Sequence, residues 1–364
     1  MIKAVCLSAV AAGIASLAPH SAKAADENAA TWTDSITMSG DLRLRYEVIK
    51  WEGRDDRKQT RYRGRFGIAA DVADDISLVI GLATGNDNPV STNQTFGDGF
   101  STKDIGLDLL FVNWAINDDF RFFGGKMRQP WIRAGGTTIM WDSDLNPEGG
   151  AIGFDRGTLF ASGGGFLVQE ESADTNTMLY YGQGGARFKF GDVSNLMVGA
   201  SYFAYDNTIG VEPFYLARSK GNTVDADGNY VYEYKIVEAF AQYGTVIGNW
   251  PFVAYANFIR NTAQDVIEDS AYSLGFTVGR AKKKGSMQFN YNYHDTGADA
   301  MIGTFTDSDF AGGNTDSRGH YMKGRYTLRE NLYLGFTLII SEFGEFTGFN
   351  QNYDRLMLDF DVKF

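Results

Sequence analysis

The sequence predicts an all-β fold, a transmembrane antiparallel β-barrel of about sixteen strands. The first observation is the alternation at the end of the chain, where apolar residues occupy every second position of the last nine: Leu356, Leu358, Phe360, Val362 and Phe364. The second is the same alternation at 36–48. Successive side chains of a strand point to opposite faces, so each segment has one apolar face, and pairing of the two would close a sheet. The third is that no stretch beyond the first 24 residues approaches the ~18 uninterrupted apolar residues of a transmembrane helix.

Residues 1–24 are predicted to be a secretory signal peptide. Lys3 supplies a positive start, an apolar core follows, and Ala22-Lys23-Ala24 has the small-x-small form of a cleavage site. The mature chain would then begin at Ala25, with a short segment at 25–34 and the barrel at 35–364. The predicted location is the outer membrane of a Gram-negative bacterium.

Cysteine content and net charge bear on the chemistry and the partners that we expect for this chain. Cys6 is the sole cysteine and lies in the predicted signal peptide, so we expect neither disulfides nor thiol chemistry. Loss of Lys3 and Lys23 changes the formal net charge from −12 to −14. We expect the lipid bilayer, small solutes and ions as partners, and no nucleic acid.

Turn signals set the strand count. Outer-membrane barrels have short turns at one end and long loops at the other. Short turns are predicted at 74–75, 117–119, 192–194, 248–249, 282–285 and 329–331, and long segments at 49–58, 87–103, 129–149, 206–233, 262–270, 298–317 and 345–352. A first count gives fifteen strands, but termini on the short-turn side require an even number. A short strand at 150–156, a turn at 155–157 and a strand at 158–169 make sixteen, a size that leaves an aqueous channel.

Basic residues cluster on the polar face of the first two strands. This predicted basic wall comprises Arg43, Arg45, Arg61, Arg63 and Arg65, with Lys126 and Arg128 at the end of the fifth strand. Like charges opposite one another destabilise a sheet, so the wall needs water, anions or carboxylates in front of it. Asp41 and Glu47 would neutralise part of it, and a simple hydrated wall stays open as an alternative.

The third long segment, 129–149, supplies candidate carboxylates. Its end contains Asp142, Asp144 and Glu148. If this loop folds into the barrel, the three acids would face the basic wall and form a constriction, where charge governs which ions pass. Clustered carboxylates also suit calcium, so a calcium site remains an alternative. We otherwise expect no metal and no cofactor.

Several ordered runs resemble the bacterial "putative porin" family of Gram-negative outer-membrane barrels. They are WDSDLNPEG at 141–149, GNYVYEYKIVEAFAQY at 228–243, AKKKGSMQFNYNYHDTGADA at 281–300, FTDSDFAGGNTDSRGH at 305–320 and DRLMLDFDVKF at 354–364. The resemblance implies passive diffusion of small hydrophilic solutes and, by analogy with general porins, a homotrimer. It also implies that Phe364 is a signal read by the outer-membrane assembly machinery.

Two other functions compete with a general porin. A selective anion channel, for instance for phosphate, is favoured by further basic residues on lumen-facing positions: Arg187, Lys189, Lys323, Arg325 and Arg355. The acidic net charge argues against it. A barrel enzyme would need a base beside a nucleophile or acid. The mature chain has only His294 and His320, both predicted near the rim without an adjacent serine, so we expect no enzyme.

Overall fold

The computed structural model describes residues 35–172 and 175–364, so the predicted signal peptide 1–24, the cleavage site and the segment 25–34 lie outside the described residues. The strands are β1 Ile36–Trp51, β2 Arg57–Ala73, β3 Ile76–Thr84, β4 Gln94–Thr95, β5 Ile105–Ala115, β6 Phe120–Lys126, β7 Glu148–Asp155, β8 Leu159–Gln169, β9 Thr177–Phe190, β10 Ser194–Tyr205, β11 Lys235–Ile247, β12 Trp250–Asn261, β13 Ser270–Gly279, β14 Met287–Thr296, β15 Ser317–Arg329, β16 Leu332–Phe343 and β17 Gln351–Lys363. Short 3₁₀ helices lie at Ala134–Gly136, Gly303–Phe305 and Phe310–Gly313. Among the described residues, no helix has both the length and the hydrophobicity to cross a lipid bilayer.

All strands except the two-residue β4 form one closed antiparallel barrel of sixteen strands. It closes where β17 pairs with β1, with Leu44 opposite Phe360. Beyond β17, the N–H of Phe364 donates to the carbonyl of Gly40 at 3.0 Å, and the N–H of Gly40 donates back at 3.1 Å. The predicted closure between the two alternating end segments is confirmed.

The region between β6 and β9 settles the strand count. β7 is a short strand, a tight turn follows it, and β8 then runs for eleven residues. β7 pairs with β6 on one side and β8 on the other. The prediction of sixteen strands rather than fifteen is therefore confirmed.

The two ends of the barrel differ in the length of their connections. The long connections, here named L1 to L8, lie at 52–56, 85–104, 127–147, 170–176, 206–234, 262–269, 297–316 and 344–350. L1 is shorter than the predicted 49–58 because β1 continues to Trp51 and β2 begins at Arg57. Strand β4, inside L2, pairs with β2 at Arg61 and Tyr62, beyond the point where the short β3 ends.

The faces of the strands are inverted relative to a soluble protein. On β1, Leu44 is 40% exposed, whereas Arg45 is 5% exposed and Glu47 is fully buried. The apolar set therefore forms the outer surface of the barrel and the charged set faces the lumen. A transmembrane barrel has this arrangement because its outer face contacts lipid.

The lumen is not evenly open. Loops L3, L5 and L7 pack an aromatic core against the inner faces of β7 to β13, where Trp131, Trp141, Phe203 and Tyr230 are almost fully buried. The rings of Trp131 and Phe203 are 5.3 Å apart, in an edge-to-face arrangement that aromatic rings favour. One cavity, of about 300 Å³, lies between these loops and the opposite inner wall.

Candidate functional site

The five arginines of the basic wall occupy the inner face of β1 and β2. The register sets Arg43 directly opposite Arg63 and Arg45 directly opposite Arg61, with Arg65 next along β2. This direct opposition of like charges would destabilise the pair of strands unless carboxylates compensate it.

Acidic side chains of neighbouring strands provide much of the compensation. The pairs are Asp41 with Arg63 at 2.9 Å and with Arg65 at 2.7 Å, Glu47 with Arg61 at 3.5 Å, and Asp359 with Arg45 at 2.7 Å. Arg45 donates to Asp359 through both Nε and Nη2, the bidentate geometry that a guanidinium favours with a carboxylate. Arg355 of β17 joins the same wall through Glu47 at 2.5 Å.

Loop L3 crosses the barrel against its inner surface. The N–H of Ile132 donates to Gln183 of β9 at 2.7 Å, and the N–H of Gly135 donates to Gln242 of β11 at 2.7 Å. Gly135 has φ +64°, and a Cβ there would lie 2.2 Å from the ring of Tyr255, so only glycine fits this approach.

Two acidic turns of identical sequence meet at the cavity in the lumen. The L3 acidic turn is 142–144 and the L7 acidic turn is 307–309, both Asp-Ser-Asp. In each, the first carboxylate accepts the N–H two residues on, at 2.8 Å for Asp142 and 2.9 Å for Asp307. The N–H of Ser308 then donates to Asp142 at 3.0 Å and joins the two turns.

The second aspartate of each turn reaches the arginines. Asp144 lies 3.8 Å from Arg63 and 3.6 Å from Arg65. Asp309 lies 3.2 Å from Arg45 and 2.9 Å from Arg355. L2 completes the arrangement because Thr92 donates its hydroxyl to Asp144 at 3.1 Å.

The four aspartates of the acidic turns differ in the direction in which their surroundings shift the pKa. Burial alone would raise the pKa of Asp144, but Arg63, Arg65 and Arg43 offset it and hold the pKa below its ordinary value. The same opposition, with Arg355 and Arg45, lowers the pKa of Asp309. For Asp142, burial and the nearby Asp307 raise the pKa well above its ordinary value, and burial and Asp309 raise that of Asp307. As the pH falls, Asp144 and Asp309 therefore keep their negative charge to a lower pH than Asp142 and Asp307.

The structure does not bring all the predicted residues together. Asp142 contacts L7 rather than the arginines, and its N–H donates to the carbonyl of Phe305 at 2.8 Å. The prediction that Glu148 faces the basic wall is wrong. Glu148 is the first residue of β7. Alternation along the strand places it on the same face as the exposed Ile152, opposite to the face of the buried Ala151. There it pairs with Lys126 at 2.7 Å, so the prediction that Lys126 belongs to the basic wall is wrong as well.

Arg128 lies on L3 beside the wall. Desolvation and the neighbouring Arg65 lower its pKa, while Asp108 and Asp41 act in the opposite direction. It therefore extends the positive field of β2 toward the start of L3.

Sequence reasoning missed the contribution of L7. Asp307 and Asp309 lie in a loop predicted only as a long segment, and Asp359 lies in the last strand, where the predictions concern only the apolar residues. One signal could have found the two aspartates of L7, namely the repetition of Asp-Ser-Asp in two separate loops. His294, predicted near the rim, is instead 1% exposed beneath L3, with Thr137 at 3.3 Å.

Asn222 of L5 holds L7 in place. Its amide donates to the carbonyls of Ala298 and Met301, both at 2.7 Å, and its oxygen accepts the N–H of Gly303 at 2.8 Å. Replacing Asn222 with alanine would leave the carbonyl of Met301 and the N–H of Gly303 unpaired, at about 1–3 kcal/mol for each unsatisfied group, whereas the carbonyl of Ala298 still accepts the hydroxyl of Thr315.

We therefore expect Asn222→Ala to make L7 more accessible to protease added to the folded barrel. Mass spectrometry of the fragments would locate cleavage within 297–316. The exposed Asn350 of L8 provides a matched control, because Asn350→Ala removes the same side chain without touching L7. Equal resistance of both variants would show that Asn222 does not hold this loop.

The residues described form no group of three or more His, Cys, Asp or Glu side chains arranged to hold a metal ion. The carboxylates of the acidic turns already accept backbone N–H groups or pair with arginines. Their arrangement is that of an ionic network between the acidic turns and the basic wall.

Comparisons with known proteins agree with this architecture. The model of a family described as "putative porin" matches residues 50–231 and 223–364. Among solved structures, the high-pH structure of Pseudomonas putida OprB is 13% identical with a TM-score of 0.57, over 91% of this chain and 95% of that chain. The trimer form of Vibrio cholerae OmpT, an outer membrane protein, is 12% identical with a TM-score of 0.52, over 91% and 100%.

Salmonella typhi OmpF, solved in complex with daunomycin, is 11% identical with a TM-score of 0.52, over 92% of this chain and 99% of that chain. At such identities the likeness to solved structures establishes the fold alone. No curated protein matches the chain.

Proposed function

Since the chain belongs to the "putative porin" family, we propose that it forms a water-filled channel through the outer membrane of a Gram-negative bacterium. Small hydrophilic solutes and ions would diffuse through it passively. Residues 1–24 would direct the chain to secretion and be removed after Ala24.

The observation that supports this function best is the charged cavity. It lies inside a sixteen-stranded barrel and is lined by arginines of β1 and β2 on one side and by the two acidic turns on the other. Opposed fixed charges in a narrow aqueous gap control which ions enter. The proposed constriction therefore consists of Arg43, Arg45, Arg61, Arg63 and Arg65 facing Asp144 and Asp309.

We propose a homotrimer as the assembly. The exposed outer surface of the barrel carries large apolar side chains, including Leu42, Leu82 and Leu358, which suit lipid or a second subunit. The trimer form of the OmpT relative supports the same assembly.

We propose no catalytic role. His294 is hydrogen-bonded to Asn292, and His320 accepts or donates a bond with Tyr291 at 2.9 Å. His294 also lies 3.3 Å from the hydroxyl of Thr137, but within the described part of the chain neither histidine has a carboxylate as a hydrogen-bond partner that would orient it as a base.

Conductance of the purified, folded protein in planar bilayers tests the channel. We expect stepwise current increases whose size grows with potassium chloride concentration, because ions would cross an aqueous lumen. The heat-unfolded protein is the control and should give no steps. Absence of steps from a sample that keeps its folded electrophoretic mobility would refute the proposed function.

A further inference from the structure

The cavity at the constriction contains two cations that differ from all its other charged groups. Five basic residues line it: Arg43, Arg45, Arg63, Lys323 and Arg325. Three of them are paired, Arg45 with Asp309 and Asp359, Arg63 with Asp41, and Arg325 with Asp361 at 2.9 Å. Arg43 and Lys323 form no ion pair with any carboxylate of the described residues.

Arg43 is held in place without being neutralised. Its Nη2 donates to Asn93 of L2 at 2.6 Å, whereas its buried Nε has no partner in the described structure. Its cross-strand neighbour is another arginine, Arg63, and that one already shares Asp41. A buried charged donor without a partner is costly, so this geometry favours an acceptor that comes from outside the chain.

Lys323 reaches the same cavity from β15. Its Nζ lies 4.4 Å from the ring centre of Tyr321, and the residue as a whole is exposed to the lumen. The ring face steadies the ammonium without supplying a hydrogen-bond acceptor. Lys323 therefore keeps its donors free for a group that enters the cavity.

Each carboxylate that lines the cavity already has a hydrogen-bond or ion-pair partner in the described structure. Asp142 and Asp307 accept backbone N–H groups, and the other four carboxylates of the lining pair with arginines. A cation that entered would have to compete with these bonds, whereas an anion would meet free donors.

We propose that Arg43 and Lys323 form a binding subsite for the oxyanion group, carboxylate or phosphate, of a small hydrophilic solute. This inference rests on the proposed channel function and adds a solute class to it. The planar fork of Arg43 suits a pair of oxygens, and Lys323 acts as a second point charge. Gln288, Asn290 and Thr337 also line the cavity of about 300 Å³ and can contact the uncharged part of the solute.

Block of chloride current in planar bilayers tests the subsite. Potassium propionate and potassium phosphate, added separately to wild-type channels in potassium chloride, should reduce the chloride current saturably, because an anion held at the subsite obstructs the lumen. The anion with the lower half-blocking concentration identifies the preferred group. Lys323→Gln should raise that concentration about tenfold, which corresponds to about 1.4 kcal/mol.

Arg43→Gln should have an effect in the same direction. Lys284→Gln is the control, because Lys284 is exposed on the turn between β13 and β14, outside the cavity, and loses the same charge. Equal half-blocking concentrations in wild type and Lys323→Gln would overturn the subsite, as would conducting wild-type channels that neither anion blocks. Both results leave the channel itself intact, whereas absence of conductance would refute the proposed function.

Discussion

Replacing Phe364 with alanine is expected to lower the yield of folded barrel several-fold. The residue closes the barrel, because its N–H and carbonyl pair with Gly40 of β1. Its ring also lies over Gly40, where a Cβ would be 2.4 Å from Cζ of Phe364. Loss of the ring removes this contact, and the resemblance predicts in addition that the assembly machinery reads the terminal aromatic side chain. Comparison of folded and unfolded electrophoretic bands in outer-membrane fractions would measure the effect.

The chain offers a matched control for this experiment. Phe349 of L8 is 77% exposed and Phe364 is 66% exposed. Phe349→Ala therefore removes the same ring from a similarly exposed residue that takes no part in the pairing of β17 with β1. A second variant, Gly40→Val, should lower the folded yield like Phe364→Ala, since its side chain would meet the ring of Phe364 and the carbonyl of Arg65. Equal folded yields of Phe364→Ala and Phe349→Ala would contradict a special role for the last residue.

The strands could be predicted from the sequence because each carries its own signal. A pleated strand with one lipid-facing side must alternate, and Leu356, Leu358 and Phe360 do so without interruption. Turn residues then fix the order, and the antiparallel closed topology follows since a transmembrane sheet cannot leave an edge unpaired.

The loops could not be predicted in the same way. Their positions depend on contacts between distant segments, such as Asn222 with Met301 or Ser308 with Asp142, and no local pattern encodes such a partner. The inward course of L3 was expected from its acids, but the same acids misled the assignment of Glu148. Its orientation is decided by where β7 begins, and that boundary is a property of the pairing with β6.

Neutralising Asp144 is expected to move the selectivity of the channel toward anions. Asp144→Asn would remove the carboxylate that faces Arg63 and Arg65 and leave both guanidinium groups less compensated. A unit charge at about 4 Å is worth about 1 kcal/mol in water and about 4 kcal/mol at an effective dielectric constant of 20. The lower of these two energies, about 1 kcal/mol, corresponds to roughly a fivefold ratio. We therefore expect roughly a fivefold change in the permeability ratio of chloride to potassium. Reversal potentials in a potassium chloride gradient would measure it.

Asp142→Asn is the matched control, two residues away in the same turn. Burial and Asp307 raise the pKa of Asp142, whereas Arg63, Arg65 and Arg43 offset burial and lower the pKa of Asp144, so Asp142 takes up a proton at a higher pH and then contributes less charge to the lumen than Asp144. In the amide, one position keeps an oxygen that accepts one of the two N–H groups bound by Asp142, those of Ser308 and Asp144, and the other becomes an NH2 group that accepts neither. We expect a much smaller shift of the reversal potential for this variant. A shift as large as that of Asp144→Asn would mean that both acids are charged in the working channel.

Salt dependence separates a constriction from a remote surface effect. The screening length is about 10 Å at 0.1 M salt and about 3 Å at 1 M, so the effect of Asp144→Asn should shrink as salt rises. Asp309→Asn should act in the same direction because Asp309 opposes Arg45 and Arg355, and Arg63→Gln should act in the opposite one. If all three variants kept wild-type selectivity at 0.1 M salt, the acidic turns would not lie on the ion path. Their carboxylates would then serve only to hold L3 and L7 against the basic wall, and selectivity would have to arise elsewhere in the lumen.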